Sequence, residues 1–294
     1  MSRIVVLGDL NLDVHATRPN QLAPGTEARS SVWAQAGGSA GTFARVAARQ
    51  GAQVTFIGSV GEDLVGDLLI RSLEQEGVRS FITRSTLPSG IILALDHGND
   101  RSMVCSRGAN DGLRETDIKD ALFDGADHLH VSGYAMLAAH QRAAAQRAIR
   151  LATERSLTVS LDPPPANLIS SFGISAFLAA IEGVTWLLPN LTEGETLTGL
   201  QGEAEIVEAL SKRFPAGSLT LGSAGALAWL QDARDQKRPV STVAVNPTGA
   251  GDAYGAGFVT SLLAGESLSE ANSRGCACAV SHLEASRSRR TAPS

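Results

Sequence analysis

Short apolar runs punctuate the chain: Ile4-Val5-Val6-Leu7, Val54-Thr55-Phe56-Ile57, His128-Leu129-His130-Val131, Leu157-Thr158-Val159-Ser160-Leu161, Thr185-Trp186-Leu187-Leu188 and Ser218-Leu219-Thr220-Leu221. Each has the length of a strand, and the unbroken runs suit strands covered on both faces, as in a parallel sheet. Between them lie stretches with helical spacing of apolar positions, at residues 39–50, 63–76, 138–155 and 203–214. Strand and helix alternate, which predicts an α/β fold around a mostly parallel sheet.

Two regions break that rhythm. Residues 14–36 contain Pro19, Pro24 and Gly25 and no helical pattern. Residues 89–106 read as two strands, 91–95 and 101–105, around the turn Asp96-His97-Gly98-Asn99-Asp100. Together they predict a small β-sheet standing off the main body, as a lid or as a plain edge hairpin. Residues 1–294 read as one domain with the lid segments 14–36 and 89–106 inserted in it. The basic stretch 287–294 reads as a frayed tail.

With 43% hydrophobic residues, the chain can bury a core and is not expected to be disordered. No apolar run approaches the roughly 18 residues of a membrane helix. The start, MSRIVVLGDLNLDV, runs straight into a strand pattern rather than a signal peptide, so a soluble, cytoplasmic protein is expected. A net charge of -5 argues against non-specific binding to nucleic acid, though only weakly, and is read as a matter of solubility. Neither a nucleic-acid nor a membrane partner is expected. Cys105, Cys276 and Cys278 have no metal-ligand spacing and read as reduced thiols.

Most of the chemistry lies in Asn246-Pro247-Thr248-Gly249-Ala250-Gly251-Asp252-Ala253-Tyr254-Gly255-Ala256-Gly257-Phe258. Small residues at 249–251 let a ligand approach the backbone, and helix formers follow. The loop therefore lies at a helix N-terminus, where open N–H groups and the dipole favour an anion. Asp252 falls on the first turn beside that anion. There it can accept a proton from an attacking hydroxyl, as phosphoryl transfer requires, or simply cap the helix.

Other segments are weaker alone. In Gly8-Asp9-Leu10-Asn11-Leu12-Asp13, an extended chain puts Asn11 and Asp13 on one face, an amide and a carboxylate for neighbouring hydroxyls. Gly37-Gly38-Ser39 is a tight turn into an Ala-rich helix. Asn190-Leu191-Thr192-Glu193 has the form of a helix start. Thr220-Leu221-Gly222-Ser223-Ala224-Gly225 is a strand and Gly-rich turn, without the Gly-Lys-Ser/Thr of a Walker A loop.

In this order, the five segments resemble the signatures of the ribokinase-like (PfkB) carbohydrate kinase family. The resemblance spans residues 4 to 258 and is most specific at the C-terminal signature. It implies a three-layer α/β sandwich with a small β lid, and ATP-dependent phosphorylation of a hydroxyl, by preference primary, on a small sugar or sugar derivative, with Mg2+. Asp252 would be the catalytic base, and the amides of Gly249, Ala250 and Gly251 the hole for the transferring phosphoryl group. Asn11, Asp13, Gly38, Ser39 and Thr42 would contact the sugar. Asn190 and Glu193 would position phosphate and magnesium, often through water, with Thr220, Gly222 and Gly225 on the nucleotide side. A homodimer through the lid is also implied.

Arg107, in Ser106-Arg107-Gly108-Ala109-Asn110, is added as a partner for an anionic substrate group, against the plainer reading of a solvated loop arginine. His130 and Tyr134 either flank the site or belong to the core. Three departures stand out. Thr42 occupies a place where the family commonly has Asn. Asn246 stands where many members carry an Asp that helps hold a monovalent cation, so potassium activation is not carried over. Residues 281–287 differ from the usual ending, which contributes to the adenine pocket.

Two rival readings remain open from the sequence, and a third is set aside. An adenosine-type nucleoside kinase would need an aromatic slot, which 4% aromatic content disfavours. A non-catalytic sugar- or nucleotide-binding regulator on the same fold would have no use for Asp252. A dinucleotide-binding oxidoreductase would place Gly-x-Gly-x-x-Gly after the first strand, where there is none.

Overall fold

Alternate residues of the first apolar run feed two different cores. Val5 and Leu7 pack on one side of the sheet, Ile4 and Val6 on the other, as the two-residue period of a doubly covered strand requires. A computed structural model describes residues 1–17, 25, 27, 29–97, 100–238 and 248–290, apart from the side chains of 96, 97, 100, 101 and 287–290.

In chain order the elements are β1 (Arg3–Leu7), β2 (Asn11–Thr17), β3 (Val32–Gly37), α1 (Ser39–Arg49), β4 (Gln53–Gly61), α2 (Leu64–Glu74), β5 (Arg79–Ser85), β6 (Gly90–His97) and β7 (Asp100–Ser106). There follow β8 (His128–Ser132), α3 (Ala139–Glu154), β9 (Thr158–Asp162), α4 (Ala166–Phe172), α5 (Ile174–Ala180), β10 (Trp186–Leu187), α6 (Leu191–Thr198) and α7 (Glu203–Ser211). The chain continues with β11 (Ala216–Thr220), β12 (Ala226–Leu230), β13 (Ala233–Lys237), α8 (Ala250–Leu263) and α9 (Leu268–Arg290).

Among the described residues the main sheet has nine strands, in the order β13-β12-β11-β10-β9-β8-β1-β4-β5. Strands β5 through β11 of that order run parallel, and β12 and β13 return antiparallel. One face carries α3, α5 and α7, through Ile149, Phe177 and Ile206. The other carries α1, α2, α8 and α9, through Phe43, Leu69, Phe258 and Ala271. The result is the expected three-layer sandwich. His130 is fully buried in it, its ring stacked on Phe43 at 3.5 Å, so it is a core histidine.

The second sheet, β3-β2-β6-β7, is the lid. It begins earlier than the sequence pattern suggests, because β2 starts at Asn11 and pairs with β6 from Gly90 onward. The expected turn residues Gly98 and Asn99 lie outside the described residues, as do 18–24, 26 and 28 of the first lid segment.

Three strands escaped the apolar-run reading. β5 and β13 are the edges of the sheet, with sequences RSFITRS and ARDQK that bury little. β12, ALAWL, follows a turn so closely that it reads as a loop. The supposed frayed tail is a correction: α9 runs on to Arg290, its Ala, Glu and Arg being good helix formers. Residues 291–294 lie outside the description.

Candidate active site

The parallel strands end along one edge of the sheet, and the chemistry-bearing residues follow those ends, where open α/β sheets place ligands. Asp9 follows β1, Ser132 ends β8, Asp162 ends β9, Asn190 follows β10 and Thr220 ends β11. Asn190 and Thr220 form a parallel bridge with each other. Asp252 reaches the same edge from the first turn of α8.

Asp9 organises the acceptor side. Its buried carboxylate accepts hydrogen bonds from Ser132 Oγ (2.9 Å), Asn11 Nδ2 (3.0 Å) and the Ser39 amide (3.1 Å). Asn110, fully buried, donates to Asn11 Oδ1 (2.9 Å) and accepts from the Leu10 amide (2.9 Å). Asn11 is thus held at both ends of its side chain. Asp13 lies two residues further along β2, on the same face. Gly38 caps α1 with φ 87°, and a Cβ there would collide with the Asp9 carbonyl, so only glycine brings Ser39 this close to Asp9.

Arg45, on α1, is a buried guanidinium in this wall. It donates to the Ala36 carbonyl (3.0 Å) and to Thr42 Oγ1 (3.3 Å), while its Nη1 has no hydrogen-bond partner among the described residues. Burial lowers its pKa to about 10, and the Asp13 and Asp252 carboxylates oppose that shift. The guanidinium therefore stays charged at neutral pH. It supplies positive charge beside two carboxylates.

Asp252 is hydrogen-bonded through its side chain to Asp162 and Ser39. Desolvation raises its pKa, the bonds from Asp162 and Ser39 and the charge of Arg45 pull it down, and Asp9 pushes it up. Asp162 is driven well above the usual carboxylate range, by desolvation and then by the charges of Asp252 and Glu193. Two carboxyls that share a hydrogen bond cannot both be ionised cheaply. Both are raised by burial, but the shared bond raises Asp162 and lowers Asp252, which assigns the proton to Asp162 and makes Asp252 the acceptor.

Beyond the ends of β10 and β11, Glu193 closes a capping box at the start of α6. It accepts from the Asn190 amide (2.9 Å) and Nδ2 (2.6 Å), while Asn190 Oδ1 accepts from the Glu193 amide (3.0 Å). Burial lifts the Glu193 pKa to about 8, against the lowering effect of those bonds. Gly222 and Gly225 flank a 3₁₀ turn after β11. Gly249, the N-cap of α8, has φ 78° and no side-chain cap bond, so the first amides of this 14-residue helix are open to a ligand.

Of the residues singled out by sequence, Asn11, Asp13, Gly38, Ser39, Thr42 and Asp252 are brought together around Asp9 and Arg45. Asn190, Glu193, Thr220, Gly222 and Gly225 gather at the ends of β10 and β11. Arg107 is half-buried: it pairs with Asp111 (2.6 Å), donates to Gln141 Oε1 (2.7 Å) and lies 5.5 Å over the Tyr134 ring. Tyr134 itself feels the charges of Asp9 and Asp252, which places it beside the site. Asn246 lies outside the described residues.

Sequence reasoning passed over Asp9, Asn110, Arg45 and Asp162. The signal for Asp162 was an acidic residue ending a buried strand; for Arg45, a charge inside an otherwise apolar helix face. Asp9 and Asn110 were hidden because the bonds that tie them into the site, Ser132 to Asp9 and Leu10 to Asn110, span 123 and 100 residues.

The open helix start beside a carboxylate and the phosphate-side turn fit a nucleotide triphosphate and its acceptor. Among the described residues no cluster of three or more His, Cys, Asp or Glu is arranged to hold a metal alone. Magnesium commonly keeps several waters and shares the phosphates of its nucleotide, and Glu193 is the acidic residue in the first turn of α6.

Comparison with known proteins agrees with this geometry. The model of the pfkB family of carbohydrate kinases matches residues 1–294. A ribokinase of Haemophilus influenzae is 30% identical over 289 residues, covering 94% of this chain and 90% of its own. Among solved structures, an adenosine kinase from Sinorhizobium meliloti superposes with a TM-score of 0.87 at 21% identity, over 99% of both chains. A putative ribokinase II from E. coli, in complex with ATP and Mg2+, superposes at 0.86 and 19%, over 96% of this chain and 93% of its own.

Proposed function

Since this chain belongs to the pfkB carbohydrate kinase family, and is with it an ATP-dependent kinase acting on a small polar substrate, we propose that it phosphorylates a hydroxyl of a sugar ring. The observation that carries this reading is the place of Asp252, in the first turn of a helix whose first amides are open, bonded to Asp162 and Ser39. Asn11 and Asp13 hold the sugar hydroxyls, Asn11 fixed by Asp9 and Asn110. Gly38, Ser39 and Thr42 form the floor.

The chemistry then follows from charge. Asp252 takes the proton of the acceptor hydroxyl as its oxygen bonds to the γ-phosphorus of ATP. The bond to the β–γ bridging oxygen breaks and ADP leaves. The amides of Gly249, Ala250 and Gly251 stabilise the charge on the transferring group. Thr220, Gly222 and Gly225 line the nucleotide phosphates, with Asn190 and Glu193 behind them. Bound Mg2+ would neutralise phosphate charge. Potassium is not expected to stimulate the reaction, since Asn246 carries no charge for it.

A free sugar and a nucleoside differ in what the lid must cover. The low aromatic content argued against a nucleoside, yet the lid holds a stacked pair on its inner face, His15 and Trp33, with ring centroids 5.1 Å apart and planes within 5°. Such a platform suits a base, and the nucleoside reading stands better for it. The adenosine kinase likeness in fold is consistent with this.

We also propose that a second copy of the chain covers the outer lid face. Leu12, Val14, Val32, Ile91, Leu93 and Val104 share that face by register, with Val32 63% and Val104 66% exposed. An apolar sheet face of this kind otherwise meets water.

The test is ADP release from MgATP with sugars, sugar acids and nucleosides as acceptors, with and without KCl. Turnover on one class, unaltered by KCl, is expected. Turnover on none would contradict the reading.

A further inference from the structure

The helix start that receives the phosphoryl group lacks the usual side-chain cap, so something else must fix its orientation. The inner side is held by the Ala253 amide, which donates to the Gly249 carbonyl (3.0 Å). On the outer side, His282 of α9 places Nε2 3.1 Å from the carbonyl oxygen of Thr248. A carbonyl only accepts, so the hydrogen must sit on Nε2, and the bond fixes the tautomer.

The Thr248 carbonyl and the Gly249 amide belong to one planar peptide, and in a trans peptide the C=O and N–H point in opposite directions. Holding the carbonyl toward α9 therefore aims the Gly249 N–H away from it, toward the site, and polarises that N–H as a donor. The contact is also steric. A Cβ on Gly249 would come 2.7 Å from His282 Nε2 and 3.4 Å from Thr42 Cγ2, so the imidazole and the threonine methyl pack close on the Cβ side of the turn.

His282 is aimed by the packing of α9 on α8. Asn272 accepts from Tyr254 Oη (2.7 Å), Gly275 lies against the Tyr254 ring, and Cys278 against Gly257. These positions and 282 recur at helical spacing on one face.

We infer that His282 is a positioning residue for phosphoryl transfer, its Nε2–H orienting the Thr248–Gly249 peptide so that the Gly249 amide faces the transferring group. The inference rests on the kinase reading above. It gives a use to the segment of α9 in which the sequence departs from the resembled family.

Two polar substitutions separate the contact from mere folding. Glutamine can bring its Nδ–H₂ equivalent, Nε2, to about the place of the imidazole Nε2, whereas asparagine is too short. With the best acceptor, His282→Asn is expected to lower kcat by about 10- to 100-fold, less than the loss of a whole anion-hole donor. KM for ATP and acceptor should stay within about twofold, the mark of an interaction made in the transition state. His282→Gln should recover kcat to within about fivefold of wild type. Thermal melts of both variants accompany the kinetics.

Unchanged kcat in His282→Asn, or a His282→Gln variant as slow as His282→Asn with an unaltered melt, would overturn the inference while leaving the kinase intact. A failure of both variants to fold would overturn it as well, since it would make His282 a packing residue. A wild-type protein without turnover would instead remove the kinase reading, and this inference with it.

Discussion

Asp252 and Asp162 share a hydrogen bond at the centre of the site, and desolvation acts on both. A base works when deprotonated, so a raised pKa moves the loss of activity on acidification upward from the ordinary aspartate range near 3.9. The acidic limb of the kcat/KM profile is expected above that value. Asp162 lowers the Asp252 pKa by donating to it, so Asp162→Ala should move the limb to higher pH and Asp162→Asn, which keeps a donor, should move it less. A limb at the free-aspartate value, or one indifferent to both changes, would contradict this assignment. Asp252 was legible in the sequence because its neighbours on the chain are its neighbours in the site. Asp162 was not, since only the sheet brings it to Asp252 from 90 residues away. Arg45 was hidden for a related reason: a charged residue in a helix reads as solvated until the facing lid strand is in place.

Elements carry the next set of consequences. The start of α6 is a capping box, legible from Asn190 and Glu193 alone, but its burial was not. With a folded-state pKa of about 8 against 4.5, Glu193 binds a proton in the folded state where the unfolded chain has lost it. Its contribution to stability is full below pH 4.5 and is lost as pH rises through about 8. Glu193→Gln keeps the box and removes the titration. The variant should therefore gain on wild type across that window, by at most about 1.4 kcal/mol per pH unit. Denaturant melts from pH 4 to 9 measure this, and a constant difference would refute it. The edge strands β5 and β13 show the opposite limit of sequence reading. Their polar patterns hold no apolar run, and they are strands only because a neighbour offers its hydrogen bonds.

At the scale of the whole molecule, the order of strands and helices was readable because a doubly covered parallel sheet needs unbroken apolar runs, and such runs stand out even when short. The lid was readable only as a break in rhythm. Its two faces, one mixed and carrying Asn11 and Asp13 toward the site and one apolar outward, emerge from the register of β2, β3, β6 and β7. If a second copy covers the outer face, light scattering should give twice the chain mass, and Val104→Lys should give the single mass with the fold intact. A wild-type monomer at micromolar concentration would contradict that proposal without touching the chemistry.

The claim on which the account turns is that Asp252 takes the acceptor proton. The direct measurement is kcat for Asp252→Asn beside wild type, with ATP binding followed by calorimetry. The account expects a loss of about 10²- to 10⁴-fold in kcat, with ATP affinity within about twofold. A variant that keeps kcat within about threefold of wild type would show that the proton goes elsewhere.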